Sequence, residues 1–159
     1  MKSFLNLIRW KNLLLVAITQ YAIRAIILLP CFKSEQILPH LNEWQFLSLV
    51  ISTLLVAAGG YIINDYYDIE IDKINKPKQV IIGKKITKRM AIFIYSFITV
   101  IGLILSITLA IQLDKLILLP IYPTAVLLLF LYARNFKKLA LIGNLIVAAF
   151  TAGVLLITF

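Results

Sequence analysis

Four acidic side chains, Asp65, Asp68, Glu70 and Asp72, fall within eight residues directly behind an apolar run ending Gly59-Gly60-Tyr61-Ile62-Ile63. The chain has seven acids in all, so more than half are gathered here, with Asn64 at their head. On a helix advancing ~100° per residue, Asn64, Asp65, Asp68 and Asp72 share about a quarter-turn of surface, whereas Glu70 points to the far side. Like charges at i, i+3 and i+4 destabilise a helix unless a cation offsets them. Mg²⁺ is the natural candidate. It takes oxygen ligands, keeps several waters, and is held by one or two carboxylates together with substrate phosphates. A Ca²⁺ loop of the EF-hand type needs glycine at its sixth position, which counted from Asp68 is Lys73. Lys73, Lys76, Lys78, Lys84, Lys85, Lys88 and Arg89 follow at once; Lys76, with Lys137 further on, is placed to hold diphosphate oxygens. The chemistry these residues suit is departure of an allylic diphosphate. The metal neutralises the leaving group, and a dry cavity with aromatic faces shelters the carbocation. Tyr66, Tyr67, Tyr122, Tyr132 and several phenylalanines near the spans offer such faces. The plain alternative is a solvated charged loop beside a membrane helix.

The elements that must position these residues are membrane helices. Apolar residues make up 62% of the 159 positions, mean hydropathy is +0.97 and 14% are charged, against roughly 45–50% apolar and a quarter charged in soluble domains. Apolar runs at about 12–30, 45–63, 90–112, 116–133 and 139–159 approach the ~20 residues a bilayer requires. The expected fold is therefore an all-α integral membrane protein of about five transmembrane helices in one domain, 1–159. A β-barrel would alternate over ten-residue strands. The net charge of +9 comes from cations crowded between apolar runs, so membrane lipids rather than nucleic acid are the expected partners. Thirteen of the 16 cations fall in the N-terminal lead, the 64–89 segment and residues 134–138, which five spans put on one side. Cytoplasmic loops carry such an excess, so the N-terminus and the acidic motif are expected to face the cytoplasm from an inner or plasma membrane. Cys31 stands alone and forms no intrachain disulfide.

Along the chain, Arg24 near the far end of the first span is expected to snorkel to the interface, the other reading being a phosphate or polar-substrate contact. Residues 31–44 read as a connecting loop, whose His40 has no metal-binding pattern around it. Gly59-Gly60 suits close helix packing or a loosened helix end. Asn75-Lys76-Pro77 ends the acidic helix, because a residue before proline avoids the α region. Gly83 marks a turn, Thr87 caps the next helix, and Pro120 and Pro123 interrupt the fourth span.

Asn64-Asp65-x-x-Asp68-x-x-x-Asp72, followed by Asn75-Lys76-Pro77, resembles the first aspartate-rich motif of the UbiA superfamily of intramembrane prenyltransferases. The resemblance extends to Arg9-Trp10-Lys11-Asn12 and Gly143-Asn144-Leu145-Ile146-Val147-Ala148 and covers essentially the whole chain. It implies the N-terminal half of a nine-helix bundle. It also implies that Asn64, Asp68 and Asp72 coordinate Mg²⁺ on a prenyl diphosphate, that Asp65 belongs with Asp68 and Asp72 to the catalytic carboxylates, that Tyr132 and Lys137 approach the diphosphate, and that Asn144 lies near the site. The run Asp68 to Pro77 is most similar to the branch that prenylates geranylgeranylglyceryl phosphate or a quinone precursor, so the acceptor is a lipid or an aromatic ring. Two departures stand out: Gln79-Val80 replaces an Arg-Pro, and no acid follows Asp114, where the family has a second aspartate-rich motif. These 159 residues are accordingly expected to be an incomplete half, silent alone and completed by a C-terminal half or a homodimer. The rival class is a non-catalytic membrane scaffold or divalent-cation-binding protein.

Overall fold

The computed structural model describes residues 2–34, 41–77 and 79–135. In order these form α1 (Lys2–Leu7), α2 (Trp10–Ile23), a π-helical turn (Arg24–Leu28), α3 (Leu29–Ser34), α4 (Glu43–Tyr67), α5 (Ile69–Asn75), α6 (Lys88–Gln112), a 3-10 turn (Leu116–Leu118) and α7 (Ile121–Arg134). Four stretches, Trp10–Ser34, Glu43–Tyr67, Lys88–Gln112 and Leu116–Arg134, are long and apolar enough to cross a membrane. The expected fifth span at 139–159 lies outside the described residues.

The central element is α4, which packs against α6, α7 and α2. Its start is fixed by a capping box: the Gln45 backbone N–H donates to Asn42 Oδ1 at 2.9 Å, and Gln45 Oε1 accepts from the Asn42 N–H at 3.0 Å. Gly59 lets α6 approach closely, since a Cβ there would stand 2.6 Å from Thr99 Oγ1. The glycine pair does not loosen the helix, which runs unbroken to Tyr67. A polar seam ties three helices in the interior. Gln20 of α2 donates to Thr53 Oγ1 at 3.3 Å, and Thr53 shares a 2.9 Å hydrogen bond with Tyr122 of α7. Such interhelical hydrogen bonds hold helices together where lipid removes the hydrophobic drive between them.

Several sequence expectations are corrected. Arg24 does not snorkel. It is buried, its Nη2 donates to Glu43 Oε1 at 2.8 Å and to the Leu41 carbonyl at 3.2 Å, and its guanidinium lies 4.3 Å from the Phe46 ring centroid. The first span does not stop at Pro30. The helix opens into its π turn just before that residue, with the Leu29 N–H bonding to the Arg24 carbonyl, and continues to Ser34. A wider turn of this kind accommodates a residue that lacks an N–H and crowds the preceding turn. The connecting segment is therefore shorter than 31–44. In the fourth span, Leu116–Arg134, Pro120 stands at the break between the 3-10 turn and α7, as expected, whereas Pro123 falls in the first turn of α7 and does not interrupt it, since a missing N–H costs nothing there.

The connection between α5 and α6 turns two apolar residues into the bundle, while Lys76, Pro77, Gln79 and Gly83 to Lys85 stay exposed. Val80 and Ile82 are buried, and Ile82 joins Leu7, Ile62, Ile69 and Ala91 in a second apolar core at the acidic end of the bundle. Gly83 (φ 89°) makes its turn, the Gly83 N–H donating to the Ile86 carbonyl at 2.7 Å. Thr87 then caps α6 by accepting from the Met90 N–H.

Candidate functional site: an acidic helix end with its own counter-ion

The last turn of α4 delivers Asn64 and Asp65, and the helix breaks once, at Asp68 (φ −90°, ψ −2°), before α5 restarts at Ile69. Hydrogen bonds of the i to i−4 type carry across the break: Asp68 N–H to Asn64 O at 3.0 Å, Asp72 N–H to Asp68 O at 2.8 Å, Lys76 N–H to Asp72 O at 2.8 Å. The helical phase is thus kept through a local irregularity, and the acids stay in a row. Ile69, buried in the second core, anchors the restart.

The row divides into two flanks. On one, Asn64 Nδ2 donates to Asp68 Oδ2 at 3.0 Å. On the other, Asp65 and Asp72 line a small recess with Gln79, walled by Ile69 and Val80 to Ile82. Asp65 Oδ1 accepts from Arg9 Nη2 at 2.9 Å, and the same guanidinium lies 4.9 Å from the Tyr61 ring centroid. Glu70 faces away as the spacing requires. It is exposed and paired with Lys73 at 2.9 Å, and that ammonium holds its carboxyl below the usual range. The first lysine of the basic run therefore serves the off-face acid, and the counter-ion of Asp65 comes from the other end of the sequence.

Of the remaining candidates, Lys76 is exposed at the end of α5. Tyr132 is half-buried near the end of α7, two residues beyond Phe130, whose ring meets Tyr67 at 6.0 Å. That contact brings the end of α7 beside the acids. Tyr122 is a correction: it lies about 12 Å along α7 from Phe130, buried and hydrogen-bonded to Thr53, so it ties helices together and does not line the acidic site. Lys137 and Asn144 lie outside the described residues. Sequence reasoning missed Arg9 as a partner of the acids, and Gln79 and Val80 to Ile82 as the recess wall.

Among the described residues, no three His, Cys, Asp or Glu side chains close on a common point as a ready metal cage. The donor set is nonetheless all oxygen, one amide and two carboxylates at one-turn intervals. That fits Mg²⁺, which leaves part of its octahedron to water and phosphate, and does not fit a metal that needs nitrogen or sulfur ligands.

With this geometry, comparison with known proteins is specific. The sequence pattern of the UbiA prenyltransferase family matches residues 31–159, and the chain belongs to that family. The digeranylgeranylglyceryl phosphate synthase of Saccharolobus solfataricus is 38% identical over 152 residues, covering 96% of this chain and 49% of the relative. That of Sulfolobus acidocaldarius is 43% identical over 119 residues, covering 70% of this chain and 40% of the relative. A solved structure described as "Structural and mechanistic insights into the biosynthesis of Digeranylgeranylglyceryl phosphate synthase in membranes" is similar with a TM-score of 0.77 at 30% identity. It covers 99% of this chain and 51% of its own. The chain thus spans about half the length of the relatives it matches, or less.

Proposed function

We propose that this chain supplies the diphosphate-binding wall of an intramembrane prenyltransferase that moves a prenyl group from an allylic diphosphate to a geranylgeranylglyceryl phosphate-type lipid. The observation that carries the reading is the row Asn64, Asp68 and Asp72, kept in phase across the break at Asp68 at the end of a membrane-spanning helix. These three would hold Mg²⁺, which when bound neutralises the departing diphosphate. Lys76, Tyr132, Lys137 and Asn144 are assigned to the substrate from the family resemblance. Asp65 is assigned a supporting part, because its carboxylate is engaged by Arg9. Tyr66 and Tyr67 end α4 beside the acids with rings 5.5 Å apart, and aromatic faces stabilise a cation. The relatives are about twice as long, and the reaction is proposed for the polypeptide that completes the cavity, whether further chain or a second copy. Cytoplasmic placement of the N-terminus and the acids is part of the same reading, supported by the cation distribution.

The test is transfer in membranes supplied with Mg²⁺, geranylgeranyl diphosphate and geranylgeranylglyceryl phosphate. It compares the chain alone with the chain fused to the C-terminal half of the Saccharolobus solfataricus relative. Turnover by the fusion, abolished by Asp68→Asn, is the expected result. A folded fusion that binds both substrates and transfers nothing would overturn it.

A further inference from the structure

Arg9 sits between α1 and α2 in a left-handed backbone conformation, φ 51°, ψ 53°. A non-glycine residue there is uncommon, and such strain persists where the surroundings over-determine it. Leu7, two residues earlier, is fully buried against Ile62, Ile69 and Ile82 and holds the junction in place. The strained turn aims the guanidinium at two fixed points on α4, Asp65 at 2.9 Å and the Tyr61 ring at 4.9 Å. A guanidinium carries five N–H donors in a planar fork. The recorded contact with Asp65 is through Nη2 alone, and the side chain remains 43% exposed. A cation pinned on one edge and open on another is arranged to receive a second anion.

The proposed reaction brings two anionic groups to one cavity, a diphosphate and the phosphate of the acceptor lipid, and like charges must be held apart. Asp65 lies about 100° round the helix from Asn64 and about 60° from Asp68, so Arg9 stands to one side of the Asn64–Asp68 pair, with Asp72 in the recess that Asp65 also lines. We propose that Arg9, aimed by Asp65 and Tyr61, binds the phosphate monoester of a lipid acceptor and so selects phosphate-bearing acceptors over neutral ones. This rests on the prenyl-transfer reading and adds the acceptor subsite to it.

Trp10, next to Arg9, reports on the site directly. The other tryptophan, Trp44, lies at the opposite end of α4 and is removed as Trp44→Phe. The full chain in nanodiscs is titrated, by Trp10 emission, with four probes. These are a glyceryl phosphate monoester lipid without Mg²⁺, its dephosphorylated form, free glycerol phosphate, and geranylgeranyl thiolodiphosphate with Mg²⁺. Arg9→Asn, chosen because asparagine tolerates the left-handed region, is expected to weaken the phosphate lipid by about tenfold or more, the scale of a lost charge-assisted hydrogen bond. Arg9→Lys should regain part of the loss. Asp68→Asn should weaken the diphosphate probe and spare the phosphate lipid.

The proposal is overturned if Arg9→Asn leaves phosphate-lipid affinity unchanged, if it weakens the diphosphate probe equally, or if the dephosphorylated lipid binds as tightly. Free glycerol phosphate binding as tightly as the lipid would overturn the lipid assignment. A double variant, Arg9→Asn with Asp65→Asn, guards against a stranded carboxylate: the same loss supports the proposal, and recovery of affinity defeats it. If the diphosphate probe fails on the unaltered chain while the phosphate lipid still depends on Arg9, diphosphate binding by this wall falls and the Arg9 site stands.

Discussion

At the residue scale, the acids are not equivalent although they stand within eight positions of one another. Asn64 and Asp68 are hydrogen-bonded to each other, Asp65 is held by Arg9, Asp72 shares the recess with Asp65, and Glu70 is spent on Lys73. In the complete enzyme, Asp68→Asn or Asp72→Asn should reduce turnover by about a hundredfold or more, with insertion into the membrane intact; tenfold corresponds to ~1.4 kcal/mol. Glu70→Gln should stay within about twofold, because an exposed surface pair contributes little. Equal losses at Glu70 and Asp68 in the same assay would contradict the division of the row. This much was legible from spacing, because a 3.6-residue period assigns faces without any tertiary information. The Arg9 contact was not legible. It depends on a positive φ between two helices, which no local pattern around Arg9 encodes.

At the scale of elements, α4 is the part that everything else is fitted to, and its contacts set which substitutions the fold tolerates. Gly59→Val would place side-chain atoms where Thr99 Oγ1 already stands 2.6 Å from the Cβ position. Overpacking of this kind costs about 1–3 kcal/mol. The expected result is a lower unfolding temperature in detergent, partly restored by Thr99→Ala in the same chain; a Gly59→Val variant as stable as the parent would remove close approach as the reason for the glycine. Tyr122→Phe deletes a buried hydroxyl from the Gln20–Thr53–Tyr122 seam. It should cost about 0.6 kcal/mol and at most about 1.7, read as a smaller fall in the same unfolding curve. Helix existence was plain from the apolar runs, and Asn75-Lys76-Pro77, Gly83 and Thr87 marked their boundaries correctly. The effects of Pro30 and Pro123 were misjudged, because a proline can be absorbed by a π turn or placed in a first turn. The burial of Val80 and Ile82 was hidden by the lysines on either side.

At the scale of the whole molecule, the described residues form four apolar helices with a second apolar core and an acidic row at one end. All-α membrane architecture could be read from composition and run length, whereas the packing of the helices on α4 could not, since it depends on surfaces beyond one local pattern. The orientation proposed from the cations is checked by Lys84→Cys in intact cells. An impermeant thiol reagent added outside should leave it unlabelled, and labelling would reverse the orientation. The central claim, that Asn64, Asp68 and Asp72 hold a divalent metal together with a diphosphate, is tested most directly by Mn²⁺ substituted for Mg²⁺. Electron paramagnetic resonance of the chain in nanodiscs, with geranylgeranyl thiolodiphosphate present, should show bound Mn²⁺ coupled to phosphorus, and Asp68→Asn should lose that coupling. A phosphorus-coupled signal unchanged in Asp68→Asn, or Mn²⁺ bound with no coupling to phosphorus, would contradict it.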